Sequence, residues 1–525
     1  MENQQRQSLM SNHEWRVTKV ALGVCLGGFL FGFDASVISG VIGFVSGKFD
    51  LSDAEIGLLV GAPTIGGLLG GLFSGVIADA IGRKRVLVAL ACIYLLSACL
   101  SALAPSFDTL VAARALGGLA FASLSIAPMY IAEISPEQRR GFFVSFNQFA
   151  IVIGFSAAYF ANYALVTASQ SGAEWVTLIS LDTQTWRWML GVEILPAVVW
   201  LIILMRMTET PRWLVLNGKG NEGKEILTWL QGEQNAHETL KEIELSNHHQ
   251  APLLKRLSWL ASPALRVPFF IAISVGIIQQ VTGINAVFFY APTIFEQSGV
   301  GTNAAFAQAT WVGVTNVVFT VIAMLTIDRL GRRPLLLIGL TGIVISMSLV
   351  SYGFHQASYK IDETVITELN ITDDTATQLQ PLVGKTFTHD VAFKNALQDA
   401  LGVTEARNKQ STIIAAAISV NAWLVLAGIL GFVASFAMSL GPVMWVLFSE
   451  VFPNHIRGLA VGVATIFNSA ASFGVQFFFP IQLSTIGSSF TFLIYAFLGV
   501  IGILVCWRLP ETKGASLEAL EKQLA

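Results

Sequence analysis

The sequence predicts an all-α membrane protein: twelve transmembrane helices in two pseudo-symmetric six-helix bundles. Three observations predict it. The 525-residue chain is 54% apolar and only 12% charged, whereas soluble domains carry about 25% charged residues. Its apolar residues gather into runs of about 20, the length that crosses a bilayer as a helix. Finally, the connections repeat while the runs do not. Asp79-Ala80-Ile81-Gly82-Arg83-Lys84-Arg85 returns as Asp328-Arg329-Leu330-Gly331-Arg332-Arg333-Pro334. Glu133-Ile134-Ser135-Pro136 with Arg140-Gly141 returns as Glu450-Val451-Phe452-Pro453 with Arg457-Gly458, and Thr208-Glu209-Thr210 is echoed by Pro510-Glu511-Thr512. Repeated connections imply a duplicated bundle with a path between the copies.

The runs place spans near 17–45, 56–78, 86–104, 111–132, 142–164 and 187–206, then 267–292, 305–327, 335–354, 413–448, 459–481 and 488–508. The expected organisation is an N-terminal bundle over 17–206, a linker over 207–266, and a C-terminal bundle over 267–508 interrupted by an insertion at 355–411. The run at 413–448 is taken as one span, because Gly441-Pro442 breaks it without a polar turn. The first sixteen residues are polar and no small-residue cleavage site follows, so no cleaved signal peptide is expected. Cys25, Cys92, Cys99 and Cys506 all fall in spans and read as small buried side chains rather than a disulfide framework.

Basic residues set the orientation. Arg83, Lys84, Arg85, Arg139, Arg140, Arg329, Arg332, Arg333 and Arg457 lie in short loops on one side, opposite Asp50, Asp53, Glu174 and Asp182, with Lys48 the main exception. That bias places both termini and the linker in the cytoplasm of a multi-pass plasma-membrane protein, the inner membrane if the source is bacterial. The linker reads as short amphipathic helices, with Glu238, Lys241, Glu242 and Glu244 around Leu240, Ile243 and Leu245, and with Pro252 and Pro263 as breakers. The insertion is polar, lies outside, and holds an Asn370-Ile371-Thr372 sequon.

Three charges interrupt apolar spans: Asp34 in span 1, Arg114 in span 4 and Glu193 in span 6. A charge near the bilayer centre costs roughly 2.5–3.5 kcal/mol, so such groups pair and face cavities. Asp34 with Arg114 reads either as a structural ion pair or as a protonatable carboxylate whose proton depends on where Arg114 stands. Glu193 fits a helix-packing or gating role equally well.

Uncharged polar side chains form a second set. These are Asn147 and Gln148 in span 5, Gln279, Gln280 and Asn285 in span 7, Asn316 in span 8, Trp445 in span 10 and Asn468 in span 11. Amides donate and accept, so each can meet a hydroxyl in either role, and an indole stacks on the apolar face of a sugar ring. The set suits a neutral polyol better than an anion. Gly66, Gly67, Gly70, Gly71 and Gly75 are expected to pack span 2 closely between the halves. Asp79, Arg83, Glu133, Arg140 and Glu209, with their repeats Asp328, Arg332, Glu450, Arg457 and Glu511, read as a cytoplasmic latch or as a static topology signal. No cofactor or metal is expected: His237, His248 and His249 lack ligand spacing, and no nucleophile–base pair marks an enzyme. A nutrient sensor is disfavoured by the short stretch after span 12.

These tracts resemble the sugar porter branch of the major facilitator superfamily, from the doubled loop motif through Arg114–Gly118, Glu209-Thr210-Pro211-Arg212-Trp213-Leu214 and Gln279–Asn285 to Pro510-Glu511-Thr512-Lys513-Gly514. The likeness is strongest to bacterial proton–xylose symporters, through Ser145-Phe146-Asn147-Gln148-Phe149-Ala150-Ile151. The resemblance implies the major facilitator fold and proton-coupled symport of a neutral monosaccharide by a monomer in the bilayer, with no nucleic-acid partner. It implies proton coupling at Asp34, with Arg114 its partner and Glu193 a secondary acid. It implies sugar contacts at Gln148, Gln279, Gln280, Asn285, Asn316 and Trp445. Phe155 and Asn468-Ser469 depart from the xylose-symporter pattern, which leaves room for a hexose. The long insertion is similar to that of animal proton–inositol symporters. A proton-independent facilitator and a proton–inositol symporter therefore stand as alternatives.

Overall fold

A computed structural model describes residues 2–136, 139–246, 260, 262–368, 373–453 and 456–511. Among them twelve helices are long and apolar enough to cross a membrane. Spans 1–6 are His13–Phe49, Asp53–Ile81, Arg83–Ala102, Phe107–Ile134, Arg140–Ser169 and Thr185–Arg206. Spans 7–12 are Arg266–Glu296, Thr302–Ile327, Arg332–His355, Ala422–Phe448, Arg457–Thr485 and Gly487–Trp507. The sequon, Pro252, His248 and His249 lie outside the described residues, as do the side chains of Leu245 and Asp328.

Four spans are broken, each beside a residue that the site uses. Span 4 passes through a single 3-10 turn at Ala120–Ala122. Span 6 stops at Gly191 and restarts at Ile194, with Glu193 at the N-cap position. Span 7 stops at Val281 and restarts at Ile284, and the joint residue Gly283 has φ 94°, a left-handed conformation that costs a glycine nothing. Span 10 breaks at Ser439, one helix ending at Met438 and the next starting at Leu440. Irregular backbone at membrane depth is tolerated where protein or a cavity satisfies it.

The chain gathers into two compact units that do not coincide with its halves. The first comprises residues 1–35, 63–155 and 191–261; the second comprises 36–62, 156–190 and 262–525. Spans 1, 2, 5 and 6 therefore each contribute to both. Within the second unit the N-terminal segments meet the C-terminal half directly. The Tyr159 hydroxyl donates to the Phe288 carbonyl, Gly313 faces the Ser156 backbone, and Gly57 and Gly61 face Phe477 and Phe473.

Two expectations are corrected. The span 2 glycines do not serve contact between the halves. Gly66 and Gly70 lie against the span 4 backbone at Ala115, Gly118 and Leu119, Gly67 lies against Phe121, and nothing packs within 4 Å of a Cβ at Gly71 or Gly75. The glycines of span 2 that do meet the other half are Gly57 and Gly61. The membrane run at 413–448 also starts too early, since span 10 begins at Ala422. Ile413, Ile414 and Ala417 close a helix over Val403–Ala417 and are buried in a small separate core.

That core belongs to the insertion, which is a folded domain. Strands β1 (Ser358–Lys360), β2 (Thr386–Phe387) and β3 (Ile418–Ser419) form an antiparallel sheet in the order β2-β1-β3. Phe393, Leu379, Leu397 and Ile413 fill its interior, with Phe393 stacked on Tyr359 at 5.2 Å. The domain is pinned to the ends of spans 11 and 12. Asp390 accepts from the Ser488 amide (2.9 Å) and hydroxyl (3.1 Å), capping span 12, while Lys394 bridges Asp390 (3.3 Å) and the Leu483 carbonyl (3.2 Å). Asp390→Ala removes a charged cap and leaves Lys394 without its carboxylate. It should lower stability by roughly 2 kcal/mol, read as a reduced melting temperature in detergent.

Candidate functional site

In the first unit the three intramembrane charges come together. Asp34 (3% exposed) and Arg114 (2% exposed) form a buried ion pair between Asp34 Oδ1 and Arg114 Nη1, and Arg114 Nη2 also donates to the Asp34 carbonyl at 3.2 Å. Glu193, also 3% exposed, is buried beside Asp34 and Arg114. Asp34 Oδ2 and Arg114 Nε are buried and receive no N–H donor or acceptor, respectively, among the described residues. The cluster therefore holds two carboxyls for one guanidinium. Its walls are close: Gly28 faces the Asn147 side chain and carbonyl, Gly27 faces the Trp200 ring, and Gly118 faces the Pro63 backbone. Phe31 packs edge-on against Phe121 (4.7 Å) and Phe155 (6.4 Å), an apolar wall on the same unit. Gln148 stands in this unit, half-buried on span 5.

In the second unit the amides form one continuous network. Gln279 Nε2 donates to the Leu440 carbonyl at the span 10 break (3.1 Å), and Asn468 Nδ2 donates to the Gly276 carbonyl (2.8 Å) and to Gln279 Oε1 (2.9 Å). Gln280 Nε2 donates to Gln279 Oε1 (3.0 Å) and Asn468 Oδ1 (3.3 Å). Asn285 Nδ2 donates to Gln280 Oε1 (2.8 Å) and to Ser472 Oγ (2.6 Å). Trp445 is 45% exposed on span 10 and edge-on to Phe448 at 5.8 Å. Asn316 is buried on span 8. Two members were missed from the sequence, Ser472 and Gln476. Their signal was the four-residue spacing from Asn468, which puts all three on one helix face.

The doubled loops build two near-identical joints. Arg83 bonds Glu133 (3.0 Å) and Asp79 (2.8 Å) and donates to the Ala78 carbonyl (3.1 Å). Arg332 bonds Glu450 (2.8 Å) and donates to the Ile327 carbonyl (3.4 Å), again five residues back. Glu209 accepts from the Lys84 amide (2.9 Å), and Glu511 accepts from the Arg332 and Arg333 amides (3.0 Å each). Each glutamate thus sits on the N-terminus of a span that starts after a glycine at φ 104° or 90°, where free N–H groups and the helix dipole favour an anion. Each joint runs within its own half. Arg140 is exposed at the start of span 5, and Arg457 donates to the Phe452 carbonyl (3.2 Å).

Comparison with known proteins accords with this geometry. A family described as "Sugar (and other) transporter" matches residues 20–367 and 402–524. The chain is 35% identical to the arabinose-proton symporter of Bacillus subtilis, covering 96% of this chain and 94% of that one. It is 32% identical to the D-xylose-proton symporter of Escherichia coli, covering 96% and 95%. The inward-open conformation of the xylose transporter XylE from E. coli superposes with a TM-score of 0.73 at 30% identity, over 97% of this chain and 99% of that one.

The matched joints make a matched prediction. Glu209→Ala and Glu511→Ala each strip a charged acceptor from helix-start amides and should cost a similar 1–2 kcal/mol, roughly. Thermal denaturation of the two variants beside the parent checks this; markedly unequal losses would mean that the joints are not equivalent.

Proposed function

From the premise that the chain belongs to the sugar-porter family of the major facilitator superfamily, we propose that it is a proton-coupled symporter of a neutral monosaccharide working by alternating access. The observation that carries the coupling is the buried Asp34–Arg114–Glu193 cluster, with its unanswered Asp34 oxygen. Two neighbouring carboxyls are satisfied by one proton shared between them, and Glu193 is proposed to carry it toward Asp34. A second proton, on Asp34 itself, neutralises the carboxylate and removes the Coulombic hold on Arg114. Spans 1 and 6 pass from one compact unit to the other within a few residues of Asp34 and Glu193. Proton occupancy thus acts where the chain joins the two units.

The sugar side of the proposal rests on chemistry. Gln279, Gln280, Asn285 and Asn468 supply neutral donors and acceptors, Trp445 supplies a stacking face, and no cation stands among them to recruit an anion. Gln148 and Asn316 are proposed as further contacts. The basic loops are proposed to face the cytoplasm and the insertion domain the outside, following the charge bias of the short loops. A potential of 100 mV is worth about 2.3 kcal/mol per charge, so one coupled proton sustains roughly 50-fold accumulation before any pH gradient counts.

The test is uptake into proteoliposomes under an imposed proton gradient, with labelled arabinose, xylose, glucose and myo-inositol as the panel. Accumulation that collapses with a protonophore is the expected result; no transport of any of the four would overturn the reading. Asn at position 34 keeps the shape of the side chain but cannot ionise. Asp34→Asn should therefore retain sugar counterflow while losing gradient-driven accumulation. Accumulation undiminished in that variant would instead assign the cluster a structural role.

A further inference from the structure

Span 11 presents two adjacent stripes within the second unit. Phe473 and Phe477 face span 2, against Gly61 and Gly57. Asn468, Ser472 and Gln476 face span 7, at successive four-residue steps. The direction of the hydrogen bonds along this second stripe is fixed by the backbone. The carbonyls of Leu440 and Gly276 only accept, so Gln279 and Asn468 must turn their nitrogens to them. Gln279 Oε1 then accepts from Gln280, which spends its N–H groups there and on Asn468 and turns Oε1 to Asn285. Asn285 donates onward to Ser472, whose oxygen also receives Gln476 Nε2 at 2.8 Å. Both lone pairs of that hydroxyl are occupied, and both N–H groups of Asn285 are committed.

The chain of bonds ends on the part of span 7 that follows the Gly283 joint. Residues Ile284–Glu296 are tied to span 11 at two levels: by Asn285 to Ser472, and by the Tyr290 hydroxyl to the main-chain carbonyl of Gln476 at 2.9 Å. Gln476, 1% exposed, takes part in both, since its amide props Ser472 and its carbonyl holds Tyr290. The same segment carries the Phe288 carbonyl that receives Tyr159 from span 5. Gly283 in the left-handed region interrupts the helix and a second kink falls at Tyr290 (φ −124°, ψ 18°), so the Ile284–Glu296 segment can move about these two joints.

We infer that Gln476 is a positioning residue for the sugar-transport cycle. It holds the Ile284–Glu296 segment of span 7 closed against span 11, and it sets how readily that segment releases when Asn285 exchanges Ser472 for a sugar hydroxyl. Nothing about its role requires contact with the sugar. The inference rests on the transport reading for its purpose, but the tie itself is open to test without substrate.

The reporter is a single cysteine from Ser156→Cys, on a background with the four native cysteines replaced by alanine. Ser156 is buried where span 5 meets Gly313 of span 8. It is labelled with a membrane-impermeant maleimide on intact cells and on inverted vesicles, so the side of access is read together with the rate. Gln476→Met keeps the bulk and removes the amide; Tyr290→Phe removes only the hydroxyl. Each should raise the labelling rate from the insertion side roughly fivefold, the population shift that one lost buried hydrogen bond supplies. The double variant should fall short of the product of the two single effects. In proteoliposomes kcat should fall while the KM for sugar on the insertion side stays level or drops. Unchanged labelling in both variants overturns the inference, and so does a raised KM with kcat intact, which would make Gln476 a sugar contact. If Gln476→Met does not fold, Tyr290→Phe decides alone. If the protein transports no sugar at all, labelling still reports the tie, so the two failures are distinguishable.

Discussion

A charge taken out of water has to be answered inside the protein, and the rest of the first unit is arranged around one such answer, the pair between Asp34 and Arg114. Their insertion cost, roughly 2.5–3.5 kcal/mol each, is offset only if spans 1 and 4 hold the two groups in contact. That distance is set by backbones brought close. Gly28 lets span 1 lie on Asn147 of span 5, and Gly66 and Gly118 let spans 2 and 4 touch backbone to backbone. A Cβ at any of them would push the helices apart. The ion pair and the glycines are therefore one device: close packing sets the pair, and the pair makes the packing worth keeping. The break in span 6 that puts Glu193 against Asp34 adds a second acid, and with it a place for a proton.

The second unit solves a different problem with neutral groups. A saturated amide network costs no Born energy, yet it is directional, because two fixed carbonyls decide which way each amide points. The breaks in spans 7 and 10 serve it directly. Ser439 interrupts span 10 just before Leu440, whose carbonyl takes Gln279, and Gly283 frees span 7 between Gln280 and Asn285. Ionised groups thus gather in one unit and a network of neutral amides in the other.

Much of this was legible in the sequence, for physical reasons. Runs of about 20 apolar residues have few other uses, so all twelve spans could be read. Asp34, Arg114 and Glu193 stood out because a charge in such a run is costly. Composition failed where an apolar stretch serves two cores in succession. Ile413, Ile414 and Ala417 run toward span 10 with only two polar residues, Ser419 and Asn421, between, but they are buried with Phe393 and Leu397 of the insertion domain. The glycines of span 2 were readable as contact residues but not as to partner, since spacing does not say which helix arrives. Ser472 and Gln476 escaped notice because a lone serine or glutamine in a span is commonplace. Their meaning appears only when Asn285 and Tyr290 arrive from 180 or more residues away in sequence.

The doubled loops show why duplication left some parts alike and others not. A span that starts after a left-handed glycine exposes amides that want an anion, and both bundles meet that need identically, with Glu209 and Glu511. Nothing about cargo enters there, so the two solutions coincide. The copies diverge within the bilayer: ionised groups gather on spans 1, 4 and 6, amides on spans 7 and 11. Spans 1, 2, 5 and 6 belong to the first copy by sequence, yet part of each packs in the second unit.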